Sequence, residues 1–190
     1  MTENNLDNLL NLVKTSLLGV DQGTLENIVN SLIEACNTGR SVFVMGNGGS
    51  AATCAHFVCD LRYAERVTKR FRVISLNDNT PLLTALANDL GYAEVYQKQL
   101  EQLLEPKDIV IVISVSGDSE NIVKAANFAH DNGAVTIGFT GSNGGKVLAA
   151  LDHSIVVSSN SFPVVESVHG VLTQLIAAVL RKNISAHNTK

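Results

Sequence analysis

Charge is scarce in this chain, and so are the features that mark several broad classes of protein. Only 17% of the 190 residues are Asp, Glu, Lys or Arg, against 45% hydrophobic residues. The balance is globular, and the low charge predicts that part of the surface is buried against other subunits. A formal net charge of −4 offers no basic surface for nucleic acid. No uninterrupted apolar run reaches about 18 residues, so no segment is read as spanning a membrane. Residues 1–5 are polar and hold no apolar signal core. The three cysteines, Cys36, Cys54 and Cys59, are odd in number and not spaced as in a zinc ribbon. They read as reduced thiols of a cytoplasmic protein, with Cys36 extending the apolar face of a helix. Internal repeats, low-complexity tracts and linkers are also missing, which leaves one domain over residues 1–190.

What is present is a change of period. Leu6, Leu9, Leu10, Val13 and Leu17 recur at helical spacing, as do Leu25, Ile28, Val29, Leu32, Ile33 and Cys36, with Gly39 as a stop. Residues 41–45, 71–76, 108–114, 134–140 and 154–158 are instead short, apolar and rich in Val and Ile. Each is followed by a turn and a helical stretch, at 51–61, 81–90 with 93–104, 119–132, 145–151 and 164–182. Apolar strands alternating with helices predict an α/β fold, a doubly wound parallel sheet between two helical layers. Residues 1–38 form two leading helices used in oligomerisation, 39–182 the α/β core, and 183–190 a tail.

In such a sheet a ligand sits beyond the carboxyl ends of the strands, where strand order reverses. Two loops are placed there. The first, Gly46-Asn47-Gly48-Gly49-Ser50, lets the backbone bring N–H groups against a ligand at the start of a helix, where the dipole favours an anion. No Gly-Lys-Ser/Thr follows and the Gly-x-Gly-x-x-Gly spacing is absent, so a small phosphorylated molecule fits better than ATP or NAD. The second, Ser114-Val115-Ser116-Gly117-Asp118-Ser119, sets three serines around one glycine ahead of another helix. Either loop alone is also explained by capping. Two at neighbouring strand ends point to phosphate.

The two motifs together closely resemble the sugar isomerase (SIS) domain family, and within it the phosphoheptose isomerase branch. Further matching pieces are His56-Phe57, Ala87-Asn88-Asp89, Thr140-Gly141-x-x-Gly144-Gly145-Lys146 and His169. The resemblance implies a five-stranded sheet and a homotetramer with sites between subunits. It implies that Ser50, Ser114, Ser116 and Ser119 hold phosphate, with Asn47, Gly48 and Gly49 beside the sugar and Asn88 and Asp89 near its hydroxyls. The implied reaction is aldose–ketose isomerisation of sedoheptulose 7-phosphate or a related sugar phosphate through an enediol.

The chain departs from that branch at its acid/base positions. A glutamate four residues after the helix histidine is replaced by Asp60, four after His56 and on the same helix face. The glutamine and histidine of the last helix are replaced by Glu166 and Gln174, and Gln174 cannot exchange a proton near neutrality. His169, three residues after Glu166, offers either an alternative acid/base partner or a structural hydrogen bond. The catalytic candidates are therefore Asp60, Glu166, His169 and Gln174. Some members bind zinc at these positions. The set here is His56, Asp60, Glu166 and Gln174, with glutamine a weak ligand. No cofactor is required by the motifs, and no nucleic acid or membrane partner is expected. Loss of the histidine also leaves open a non-catalytic phosphosugar-binding or protein-interaction role. Arg62, Arg66, Lys69, Arg70 and Arg72 form a basic run that either guides an anion or is simply solvated.

Overall fold

The computed structural model describes residues 5–64 and 71–187. Five strands form one sheet: β1 (Ser41–Gly46), β2 (Arg72–Ser75), β3 (Ile109–Ser114), β4 (Val135–Gly141) and β5 (His153–Val157). Their order is β2-β1-β3-β4-β5, and every neighbouring pair is parallel. β1 and β3 are buried along their whole length, which is why they read as unbroken apolar runs.

Side chains alternate across the sheet. Val42 and Val44 join one core layer with Leu32, Phe57, Val168 and Leu172. Phe43 and Met45 join the opposite layer with Tyr96, Ile122 and Ala125. The first layer is covered by α1 (Leu6–Leu18), α2 (Gln22–Thr38), α3 (Gly48–Ala64) and α7 (Phe162–His187). The second is covered by α4 (Thr80–Leu90), α5 (Gln97–Leu103) and α6 (Glu120–Asp131). Helix starts follow side-chain caps: Asp21 accepts from Thr24 N–H at 2.7 Å, and Asn79 accepts from Leu82 N–H at 3.1 Å.

Several boundaries differ from expectation. α3 begins at Gly48 rather than near residue 51, because Ala51 N–H already donates to the Asn47 carbonyl. The glycine loop is thus one residue of turn plus the first turn of a helix. Residues 93–104 divide into a 3-10 turn at Tyr92–Glu94 and α5, and 145–151 is a 3-10 turn at Lys146–Ala150. α7 continues to His187 through residues expected to be tail, since neither Gly nor Pro follows Lys182 to stop it. Its stretch Phe162–Asn183 is long and apolar enough to cross a bilayer by composition, a point hidden by scattered polar residues, yet half of it is buried inside the domain.

The chain steps outward from β1 to β2, then returns past β1 to β3. Strand order reverses between β1 and β3, where Gly46 pairs with Ile113. That register sets Asn47–Ser50 beside Ser114–Ser119.

Candidate functional site

At this crevice lies a cavity of about 110 Å³ lined by Asn47, Ser50, Ser114, Val115, Ser116, Ser119, Phe162 and Glu166. Its hydroxyls are arranged to donate. Ser114 Oγ accepts from Gly117 N–H at 3.1 Å, and Ser116 Oγ accepts from Asp118 N–H at 3.2 Å. Each oxygen is held by a backbone donor, so its own proton is available to a ligand. Ser119 is the N-cap of α6 but makes no side-chain capping bond, and Ser50 is buried in the first turn of α3. Four O–H groups and two helix N-termini therefore converge on one small space, an arrangement suited to a tetrahedral anion. Gly48 and Gly49 are exposed at its mouth. A wider groove of about 440 Å³ between α2 and α7 is lined largely by Leu and Val and lacks such donors.

The second serine loop is braced by the Gly144–Gly145 turn. Gly117 and Gly145 have φ of +67° and +66°, and a Cβ on either would strike the other loop's backbone. Val147 N–H donates to Gly117 O at 3.0 Å, and Lys146 N–H to Asp118 Oδ1 at 3.0 Å. The Gly144-Gly145-Lys146 motif thus fixes the shape of the loop that carries Ser116 and Ser119.

The first loop is fixed by a polar network. Asn47 and Asn121 exchange amide hydrogen bonds, both at 3.0 Å. Asn47 Oδ1 also accepts from Tyr92 Oη at 2.8 Å, and Tyr96 Oη, 3.1 Å from the same oxygen, donates to the Gly46 carbonyl at 2.6 Å. One Asn47 N–H is left for a ligand. Tyr92, Tyr96 and Asn121 escaped sequence analysis because they lie 45–74 residues from Asn47 and form no local pattern. Asn88 and Asp89 do not line the cavity; they sit exposed at the end of α4, Asn88 Nδ2 donating to Asp89 Oδ1 at 2.8 Å. The α4 end turns directly into Tyr92, so they form an outer rim beyond the Asn47 network.

Along the other wall α3 and α7 run side by side in one direction. Glu166, near the start of α7, lies against Gly49, where an added Cβ would meet its Oε1 at 2.5 Å. Near their far ends Arg181 Nη2 lies 3.6 Å from Asp60 Oδ1. His56 Nε2 is 3.6 Å from Asp60 Oδ2. Gln174 is exposed, two turns after Glu166 on the same face of α7. Asp60 is 11 residues beyond Gly49, an axial separation of about 16 Å at 1.5 Å per residue. Asp60 and Glu166 therefore do not share a cavity within one chain. Of the set His56, Asp60, Glu166 and Gln174, His56 and Asp60 lie together while Glu166 stands about three turns away, and the described residues contain no group of three or more His, Cys, Asp or Glu placed to hold a metal. Helical spacing put these side chains on one seam but could not shorten the distance along it.

His169 is not at the cavity and does not pair with Glu166. It is 1% exposed, with Nε2 3.1 Å from the Thr140 carbonyl and its ring edge-on to Phe139. Burial lowers its pKa to about 4, against a partial offset from the Thr140 hydrogen bond. The unfolded chain, titrating near the ordinary 6.5, binds more protons across this window. Stability is thus fully present above about pH 6.5 and falls as pH drops toward 4, by on the order of 3 kcal/mol. Urea melts at pH 7 and pH 4.5 are expected to show a lower midpoint in acid, and His169→Gln is expected to flatten that dependence. Of the basic run, Arg66, Lys69 and Arg70 lie outside the described residues, and Arg72 donates to the Gly39 carbonyl at 2.7 Å, closing the end of α2.

Residues 8–141 match the SIS domain. The chain belongs to the SIS domain family. Among curated SIS relatives, the phosphoheptose isomerase of Aliarcobacter butzleri is 36% identical over 165 residues, covering 86% of this chain and 87% of its own. That of Syntrophotalea carbinolica is 38% identical over 157 residues, covering 80% and 79%. The solved phosphoheptose isomerase of Francisella tularensis superposes with a TM-score of 0.84 at 26% identity, over 90% of this chain and 91% of that one. The Neisseria gonorrhoeae phosphoheptose isomerase gives 0.83 at 25% identity with the same coverage. The five-stranded parallel sheet with helices on both faces is therefore the SIS fold, as the two serine-bearing loops imply.

Proposed function

We propose that this SIS protein is an aldose–ketose isomerase of sugar phosphates, with sedoheptulose 7-phosphate as its substrate. The observation that carries this is the convergence of Ser50, Ser114, Ser116 and Ser119 on one cavity between two helix N-termini. The likeness to phosphoheptose isomerases over most of the chain supports it and favours turnover over binding alone. The phosphate anchors in the serine cradle, and Asn47, held by Asn121 and Tyr92, offers its remaining N–H to the sugar.

Isomerisation moves a proton between C1 and C2. A base takes the C1 proton of the ketose while the C2 oxygen gains one, giving an enediol. The proton is then delivered to C2 and the O1 proton leaves as the aldehyde forms. In an extended seven-carbon 7-phosphate C2 lies about 9 Å and C1 about 10 Å from the phosphorus, at roughly 1.3 Å of advance per bond. Glu166, inside the cradle, is too near the phosphate to act at C1 and C2. We assign the acid/base work to Asp60, backed by His56 and Arg181, with Gln174 and the rim residues Asn88 and Asp89 as hydrogen-bonding groups to the sugar. His169 supports the fold beneath the site.

The separation of Asp60 from the cradle is resolved if a second copy supplies its α3/α7 seam. Val171, Leu175 and Val179 form an exposed apolar stripe on α7, and Leu6 and Leu10 are exposed on α1. These faces support a homotetramer with sites between subunits. The buried thiols of Cys36 and Cys54 support action in the cytoplasm. Incubation with sedoheptulose 7-phosphate in deuterated water is expected to yield an aldose phosphate labelled at C2. Absence of product from this ketose and from five- and six-carbon ketose phosphates would overturn the assignment.

A further inference from the structure

We propose that Glu166 is a specificity-determining residue at the phosphate end of the site. Its carboxylate turns away bare tetrahedral dianions and admits phosphate esters whose own hydroxyls hydrogen-bond to it. This rests on the serine cradle being the phosphate site.

The cradle has an unexpected charge pattern. Among its eight lining residues Glu166 is the one that ionises, and no Lys or Arg is among them. An anion site thus has a carboxylate for its charged wall. That carboxylate is packed against α3: a methyl group on Gly49 would meet Oε1 at 2.5 Å and Oε2 at 3.1 Å. Both oxygens lie over the first turn of α3, the same turn that carries Ser50. The cavity is only about 110 Å³, so an anion seated among the serines lies close to the carboxylate.

Like charges at that range repel strongly in a partly desolvated space. A bare dianion offers the carboxylate nothing in return. A phosphorylated polyol brings hydroxyls on the carbons next to the ester, and one of these donates a charge-assisted hydrogen bond to it. Selectivity then arises from a repulsive element that only the right ligand offsets.

The test compares two unreactive probes by calorimetry. Sulfate is a dianion with no proton to donate, and sorbitol 6-phosphate is a phosphate ester without a carbonyl. Glu166→Gln keeps the size of the side chain and removes its charge. It is expected to tighten sulfate binding at least tenfold while leaving sorbitol 6-phosphate within threefold of wild type. Glu166→Ala is expected to tighten sulfate equally and to weaken sorbitol 6-phosphate. Unchanged sulfate affinity, or equal tightening of both probes, overturns the proposal while leaving the cradle intact. Failure of both probes to bind wild type and both variants would instead remove the cradle reading, and this proposal with it.

Discussion

Gly145→Ala is expected to lower the melting temperature by roughly 10 °C and to raise KM for the sugar phosphate more than tenfold. At φ +66° an alanine is strained by about 1–2 kcal/mol. Its Cβ would also strike the Ser116 carbonyl and the Gly117 backbone, and forcing atoms into a packed space costs about 1–3 kcal/mol. Together these remove about 3 kcal/mol, and each kcal/mol shifts a domain of this size by about 2–4 °C. Because the clash is with backbone, relief comes by moving the loop, and the loop carries Ser116 and Ser119. Gly39→Ala separates the two effects. Gly39 has φ +69° with nothing within 4 Å of an added Cβ. It is expected to lose only the backbone contribution, a few degrees, with KM unchanged. Thermal melts and steady-state kinetics on the two variants check this, and an unaltered KM in Gly145→Ala would show that the turn does not brace the cradle.

Asp60→Asn is expected to reduce kcat by about 10²–10⁴-fold, the usual contribution of a positioned acid or base. KM is expected to stay within a few-fold, because the phosphate is held by the serine cradle and not by Asp60, whose part is played in the transition state. The melting temperature is expected to fall by no more than a few degrees, since Asn keeps the size of the half-buried Asp60 and its contacts to Arg181 and His56 are both long, at 3.6 Å. Kinetics that show Asp60→Asn fully active would remove Asp60 from the chemistry. A collapse of kcat in Glu166→Gln instead would move the acid/base assignment into the cradle.

The strands were legible because β1 and β3 are buried on both faces, and only unbroken Val and Ile runs satisfy that environment. The serine loops were legible because their donors are close in sequence and sit at strand ends whose direction a parallel sheet dictates. The start of α3 was misplaced because Gly48 and Gly49 weaken a helix by propensity, whereas here they occupy its first turn. Of the two readings of His169, an acid/base partner for Glu166 or a structural hydrogen bond, the structure shows the second. Spacing of three puts two side chains within reach, but the sheet decides which is buried, and His169 turns to the Thr140 carbonyl.

By itself the sequence determined the α/β class, the position of the two serine- and glycine-bearing loops and the family, since each is written in contiguous residues whose backbone geometry follows from local chemistry. Only the tertiary structure decided that Tyr92 and Asn121 hold Asn47, that Glu166 stands inside the cradle, and that Asp60 lies far from it. Those relations join segments far apart in the chain or far apart along a helix, and such distances are set by packing rather than by pattern.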